Sequence, residues 1–346
     1  MTIFDYFTSK ALAAYYNTRQ ADMNSNNFLG DELFPARKKV GLNLKFIKGS
    51  KGLPTALSLS AFDVKSTKKE RIGFESVQTQ MPFFKNDMLI DEELRQELLI
   101  AIESGNSDYV NTILTNIFDD TITLLDAAAV ARERMRMQLL ATGKIVMANN
   151  GQEYTYDYGL EANQLYTPAK LWSAADSDPL SDIIAMQDVI EYKGFARPSR
   201  AITSRKVIRN LMKNAGIKEA IYVMSNGKVT LTEDAVVSYL RENAHINIAV
   251  YDKAYQDENK AAQRYLPEDL FVLIPEGPLG NTWFGTTPEE ADLRASKIAD
   301  VALVDTGVAI STYMEADPVR KDTKTSQICL PSGENIDKIV IATVVI

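Results

Sequence analysis

The stretch SDYVNTILTNIFDDTITLLDAAAVARERMRMQLLAT, residues 107–142, decides the fold. Val110, Ile113, Leu114, Ile117, Thr121, Leu124, Leu125, Ala128 and Met135 recur at spacings of three and four, the pattern of one apolar helical face. At 1.5 Å per residue such a helix would be on the order of 50 Å long, where globular helices average about three turns. Asp119, Asp120 and Asp126 fall toward its first half and Arg132, Arg134 and Arg136 toward its end, the charge order that complements the helix macrodipole. Gly143 stops it. Beyond the glycine, Ile145-Val146-Met147 and Tyr154, Tyr156 and Tyr158 flank Ala148-Asn149-Asn150-Gly151, a hairpin whose Asn-Gly pair tolerates positive φ.

Toward the N-terminus, Asp5 to Arg19 places Tyr6, Leu12, Ala13, Tyr15 and Tyr16 among polar residues, a weak amphipathic helix, and then breaks into the polar run 22–27, so that an arm is expected over 1–40. After Phe34-Pro35 the period changes to two: Leu42, Leu44 and Phe46 alternate with Asn43 and Lys45, a half-exposed strand, and a second extended run covers Glu75 to Phe84. The segment from Arg37 to Arg71 carries ten cations (Arg37, Lys38, Lys39, Lys45, Lys48, Lys51, Lys65, Lys68, Lys69, Arg71) against Asp63 and Glu70, a local +8. The chain as a whole is −8, which leaves about −16 for everything else. A solvated basic loop, nucleic-acid contact and docking on the acidic body of an identical neighbour are the three readings of such a run. Phe46 and Phe62 are its only aromatics, few for stacking on bases, whereas complementary potentials steer and register association between copies.

Toward the C-terminus the elements are shorter and mixed. Asp178 caps a helix with Pro179 at its first position, Ile183, Ile184, Val189 and Ile190 on one face and Gly194 past its end. A second helix is expected from Ser204 to Gly216, with Val207, Ile208, Leu211 and Met212 inward, and a third opens at Thr232. Ile246 to Tyr251 and Leu270 to Ile274 read as strands of the same α/β lobe, and Val308 to Met314, Thr325 to Leu330 and Asp337 to Val345 as returning strands. The length, 346 residues, exceeds the usual single core and predicts two lobes.

Composition removes most chemistry. The net acidity offers no overall footprint for wrapping nucleic acid. One cysteine, Cys329, forms no internal disulfide, the N-terminus has no signal-peptide pattern, and no apolar run approaches the ~18 residues of a membrane span. These features point to a soluble protein made in a reducing cytoplasm. One histidine, His245, expected at a strand edge, supports neither a Ser-His-Asp triad nor a histidine metal site, and Thr142-Gly143-Lys144 fails the phosphate-loop spacing because Gln138 stands where the first glycine belongs. The acid pairs Asp176/Asp178, Asp257/Glu258 and Glu289/Glu290 lie in or before polar turns and read as caps and solvated turns. A hydrolase using paired carboxylates is the rival class, and it predicts a monomer or small oligomer with a defined pocket.

Several stretches taken in order resemble the lambda-type capsid protein E family of tailed bacteriophages. Phe34-Pro35 with the alternating strand is similar to the start of that family's E-loop. Leu139-Leu140-Ala141-Thr142-Gly143-Lys144 through Tyr156-Asp157-Tyr158-Gly159 resembles its helix end and hairpin. Val250-Tyr251 through Tyr265-Leu266-Pro267-Glu268-Asp269, and later Asp317-Pro318-Val319-Arg320 and Pro331, resemble its C-terminal half. The resemblance spans roughly residues 28 to 345. It implies an α+β fold of the Hong Kong 97 type: an N-terminal arm (1–40), an extended E-loop hairpin (41–90), a peripheral domain (91–170 and 300–346) with a spine helix at about 107–142, and a mixed α/β axial domain (171–299).

By the same resemblance the chain is a major capsid protein that self-assembles into pentamers and hexamers of an icosahedral shell enclosing double-stranded DNA without sequence-specific binding. It is no enzyme and carries no cofactor, metal or membrane association. An encapsulin-like compartment protein is the alternative within the same fold. A separate scaffolding protein and a portal are the implied partners, a decoration protein is left open by the sequence, and the virion capsid, assembled in the host bacterial cytoplasm, is the implied location. The candidate intersubunit residues of the E-loop are Arg37, Lys38, Lys39, Lys65, Lys68, Lys69 and Arg71, and Asp317, Pro318 and Arg320 form the family-like motif of the peripheral domain.

Overall fold

The computed structural model describes residues 8–22, 28–48, 75–90, 92–105, 107–149, 152–224, 231–257, 260–293, 296, 299–317 and 319–345. Along the chain, α1 (Ser9–Asp22) and α2 (Leu29–Leu33) precede β1 (Ala36–Lys38), β2 (Asn43–Lys48), β3 (Glu75–Gln80) and β4 (Phe83–Ile90). Then come α3 (Glu92–Glu103), α4 (Ser107–Thr142), β5 (Lys144–Asn149), β6 (Gln152–Asp157) and β7 (Leu165–Tyr166). An alternating stretch follows: α5 (Pro179–Tyr192), β8 (Arg200–Thr203), α6 (Arg205–Lys213), α7 (Ala215–Met224), α8 (Glu233–Ala244) and β9 (Asn247–Val250). The rest is strand: β10 (Ala254–Gln256), β11 (Ala262–Arg264), β12 (Leu270–Ile274), β13 (Thr282–Phe284), β14 (Asp300–Val304), β15 (Val308–Ala316), β16 (Val319–Pro331) and β17 (Val340–Thr343).

Helix α4 is one uninterrupted helix of 36 residues. Its buried positions Ile113, Ile117, Thr121, Leu124, Leu125 and Met135 are members of the apolar series, and Thr121 satisfies its buried hydroxyl by donating to the Ile117 carbonyl at 3.0 Å. At its end Gly143 adopts φ +69° and donates its N–H to the Leu139 carbonyl at 2.8 Å, a left-handed cap. A Cβ at this glycine would run into the Leu160 side chain, so a larger residue there meets both backbone strain and a clash.

The chain divides into two compact units, the first of Met1–Lys45, Gln78–Arg134 and Asn281–Ser332 and the second of Phe46–Val77, Met135–Gly280 and Gly333–Ile346. In the first unit the strand order is β1-β13-β16-β15-β14, with β4 also pairing β16. The long β16 holds this sheet together. It pairs antiparallel with β15 from Val319 to Gln327, with β4 from Lys321 to Ile328, and with β13 at Cys329, Leu330 and Pro331. Helix α1 lies on β14 and β15, burying Leu12, Ala13 and Tyr16, with the Ser9 N–H donating to Asp300 Oδ2 at 2.8 Å. A separate cluster packs Leu98 and Ala101 of α3 against Ile113 and Ile117 of α4 and Ile90 of β4.

The second unit is built on a sheet of order β7-β17-β12-β8-β9, antiparallel at its centre and parallel at both outer pairs. Strand β12 (LFVLI) is buried at every position, as a central strand covered on both faces must be. Helices α5, α6 and α8 turn Ile183, Ile190, Val207, Ile208, Leu211, Val236 and Leu240 into one core with Phe271 and Trp172. Each helix begins on a side-chain cap: Asp178 accepts from the Ser181 N–H, Ser204 from Val207 and Thr232 from Ala235.

Several details depart from the sequence reading. The helix expected from Ser204 to Gly216 stops at Lys213, and Gly216 lies inside α7. The reason is Asn214. Its Oδ1 accepts from the Ile217 N–H at 3.0 Å, starting α7, while its Nδ2 donates to the Ser177 carbonyl and hydroxyl. His245 is the C-cap of α8, in the left-handed conformation at φ 55° and exposed, and β9 starts two residues later. Strand β16 starts six residues before the expected Thr325, and β1 is a strand that no apolar alternation announces.

Candidate assembly surfaces

The base of the basic excursion is part of the first unit's sheet. β1 runs parallel to β13, pairing Ala36 with Thr282, Arg37 with Trp283 and Lys38 with Phe284, and the Lys39 N–H donates to the Phe284 carbonyl at 2.8 Å. All three residues of β1 are exposed, and cationic side chains on an outer strand discourage pairing with foreign strands. Of the sequence-predicted contacts, Arg37 donates through Nε to Asn281 Oδ1 at 3.1 Å and Lys38 forms an ion pair with Glu290, so two cations are engaged within their own chain. Lys65, Lys68, Lys69 and Arg71 lie outside the described residues. Strands β2 and β3 form a two-stranded sheet of their own, closed at the base where the Met81 N–H donates to the Leu42 carbonyl at 2.9 Å. Leu44 is fully buried beside exposed Asn43 and Lys45, as the alternation requires, while Leu42 and Val40 stay exposed.

The second predicted motif occupies the turn from β15 into β16. Asp317 is exposed and Pro318 lies outside the described residues. Arg320 stands opposite Glu315 in the ladder and pairs with it, and its Nε lies 3.3 Å from Asp322 Oδ2. Arg320 therefore ties the two strands beside their connecting turn, a structural use of this charge.

Sequence reasoning missed the buried charge of the first unit. Arg132, read as a dipole complement, is 7% exposed. It donates from Nη1 to Gln327 Oε1 at 2.8 Å, pairs from Nη2 with Asp305 Oδ2 at 3.2 Å and lies over the Phe284 ring. Its neighbour Glu133 is fully buried and accepts from the Gly30 N–H at 3.2 Å. The signal was available, because Arg132 continues the three-and-four spacing of Leu125, Ala128 and Met135. Glu289, expected in a solvated turn, is 2% exposed at the start of a short π-helical turn. Burial would raise its pKa, but the Lys324 ammonium and the Ser326 hydroxyl, which donates at 2.8 Å, hold the carboxyl below the usual range.

The described members of the other acid pairs serve as ion-pair partners, caps and turn acceptors. Asp176 pairs with Lys170, Asp178 caps α5, and Asp257 accepts from the Ala261 N–H within a turn. Glu258 lies outside the described residues. Among the described residues no group of three or more His, Cys, Asp or Glu side chains is placed to hold a metal ion.

The same arrangement of elements recurs in solved structures. A prophage protein from E. coli CFT073 described as a capsid protein superposes with a TM-score of 0.63 at 17% identity, covering 98% of this chain and 99% of its own. The capsid protein of Myoviridae phage XM1 gives 0.50 at 13% identity, covering 94% and 97%, and that of cyanophage A-1(L) gives 0.50 at 12%, covering 94% and 95%. Among curated proteins none matches. The fold is thus α+β and of the Hong Kong 97 type shared by phage capsid proteins. The family profile described as phage major capsid protein E matches residues 8–344, and the chain belongs to that family. Its function is that of a phage major capsid protein, a structural component of the virion capsid that assembles into oligomeric shells, and not that of an enzyme.

Proposed function

We propose that copies of this chain form pentamers and hexamers of an icosahedral shell that encloses double-stranded DNA. Assembly takes place in the host cytoplasm with a separate scaffolding protein and a portal. The observation that carries this reading is the family match over nearly the whole chain on a fold shared with phage capsids. Residues 1–40 serve as the arm, 41–90 as the E-loop, 91–170 with 300–346 as the peripheral domain and 171–299 as the axial domain.

The E-loop reaches a neighbouring copy, its cations meeting that copy's acidic surface. Support comes from β2 and β3, which among the described residues pair with each other and with no other strand, and from the local +8 in a chain of −8. Lys39, Lys65, Lys68, Lys69 and Arg71 carry that contact, while Arg37 and Lys38 anchor its base through Asn281 and Glu290. Arg320 fastens β15 to β16 within the peripheral domain.

Sedimentation and negative-stain microscopy of the protein, expressed alone and with its scaffold, test the reading. Closed shells, or tubes and sheets of pentamers and hexamers, are expected. A uniform monomer or dimer under both conditions overturns it. Reversing Lys65, Lys68, Lys69 and Arg71 to glutamate should leave a folded subunit that forms few shells, and a normal particle yield refutes the docking role.

A further inference from the structure

The second unit contains a basic groove that neither the family nor the E-loop reading accounts for. Helix α6 buries Val207, Ile208 and Leu211 in the core, and this turns Arg205, Lys206, Arg209 and Lys213 outward. Arg205, Arg209 and Lys213 follow one another at four-residue steps, a row of cations about 6 Å apart along the axis. Together with Arg264 of β11 they line a concavity of about 560 Å³. Five cations share these walls with two carboxylates, Asp252 and Glu268, in a chain whose net charge is −8.

The internal pairing is partial. Arg264 pairs with Glu268 and lies 3.5 Å from Asp252, Arg205 is 3.5 Å from Glu233 and 3.9 Å from Asp252, and Arg209 is 3.9 Å from Glu233. These are exposed pairs of the kind that contribute little and exchange readily. Among the described residues neither Lys206 nor Lys213 forms an ion pair, although Lys206 is half-buried against the groove. The concavity therefore presents two unpaired ammonium groups and three guanidinium groups that can turn to a better partner.

We propose that this groove seats a carboxylate-bearing segment of a second copy of the chain. The proposal rests on the shell-forming function. A ring of identical subunits is joined head to tail, so one patch must complement a different patch on the same molecule, and an acidic chain with a localised basic concavity meets that requirement. The groove is poorly built for the phosphates of a duplex. Asp252 and Glu268 stand among its cations and disfavour a uniformly anionic partner, whereas a protein segment can set its own cations against them, and a duplex carries its charge on a convex rod that reaches only the rim of such a cavity. Interleaved charges of both signs instead match the mixed surface of a protein and fix its register.

The test uses wild-type shells assembled from a mixture of unlabelled and ¹⁵N-labelled chains, treated with a zero-length carbodiimide that joins amines to carboxylates. Mass spectrometry should find Lys206 or Lys213 linked to an Asp or Glu of a differently labelled copy. In parallel, the Lys206→Glu/Lys213→Glu variant should keep the wild-type circular dichroism and melting of the subunit but lower particle yield at least about tenfold, one decade being 1.4 kcal/mol. Links only within one copy, or none at these lysines, overturn the proposal, and so does a normal yield from the variant. Normal shells with reduced DNA content overturn it as well and assign the groove to phosphate. Failure of the wild type to form shells would strike at the shell-forming function itself, whereas normal wild-type and normal variant shells strike only at the groove.

Discussion

Replacing Glu289 by Gln tests whether the charge buried in the first unit holds the sheet to its turn. Glu289 is 2% exposed, accepts from Ser326 Oγ at 2.8 Å and pairs with Lys324, whose side chain keeps 23% of its surface. Breaking a buried ion pair by removing one partner costs about 3–5 kcal/mol because the survivor is left uncompensated. Lys324 can still draw on water, so a loss at or somewhat below the lower bound, about 2–3 kcal/mol, is expected. A carboxyl held below its ordinary value of about 4.3 stabilises the fold above that pH, and the contribution is lost as pH falls through the depressed folded value. Urea unfolding of the unassembled subunit between pH 3 and 7 should therefore show a large deficit for Glu289→Gln at neutral pH that shrinks on acidification. Adding Lys324→Met should restore part of the loss, as a double-mutant cycle would quantify. A Glu289→Gln protein within about 0.5 kcal/mol of wild type, the range of an ordinary surface substitution, with an unchanged acid limb, refutes the reasoning.

Three further outcomes can be checked on the same subunit. Leu125→Asp, at 3% exposure, should abolish soluble folded protein, while Leu114→Asp, only half-buried, should be milder; wild-type solubility and melting in both would show that the α4 face is wrong. Gly143→Ala should lower the melting temperature, since a left-handed position costs a β-carbon about 1–2 kcal/mol and the Leu160 side chain must also move; scanning calorimetry measures it. Asn214→Ala removes the cap of α7 and two bonds to Ser177, and about 1–2 kcal/mol of stability should go with them in denaturant titration.

How legible each element was depends on whether its determinants are local. Helix α4 could be read to the residue because ten turns of three-and-four spacing run into a glycine that must be left-handed. The caps Asp178, Ser204 and Thr232 were legible because each bonds an N–H three residues on. Strand β1 was not, because Ala36, Arg37 and Lys38 form an outer strand exposed at every position, and its partner β13 lies about 250 residues away. The first half of β16 escaped for the opposite reason. Lys321, Asp322, Thr323 and Thr325 are polar yet buried, so the strand carries no apolar alternation, and the groups that satisfy such a face, Glu289 for Lys324 among them, come from remote segments. Asn214 ended α6 through Ser177, a partner 37 residues away. At the assembly surfaces the charge asymmetry was visible in composition, but which cations are already paired was not: Arg37 and Lys38 have partners in their own chain, and the groove on α6 exists only once that helix, β11 and the segments carrying Ser173, Asp252, Glu268 and Val345 are brought together.

This separation of buried from exposed charge makes salt the discriminating variable for the whole assembly scheme. The pairs of Glu289 with Lys324 and of Arg132 with Asp305 and Gln327 lie within the first unit at side-chain exposures of 3% for Glu289 and 9% for Arg132. Mobile ions screen such pairs weakly. The cations of the α6 groove lie at the surface, and under the proposed docking their attraction to a neighbour would fall off over a Debye length of about 10 Å at 0.1 M and about 3 Å at 1 M. Raising salt from 0.1 to 1 M should thus reduce the rate and extent of shell formation, followed by light scattering, while the urea midpoint of the unassembled subunit changes little. The Lys206→Glu/Lys213→Glu variant should have lost part of that salt dependence already, because an attraction that has been removed leaves nothing to screen. Shell formation that is indifferent to salt, or that strengthens with it, would mean that apolar contacts drive the docking of copies, and the exposed Leu42, Leu89 and Met314 of the first unit would then be the surface to examine.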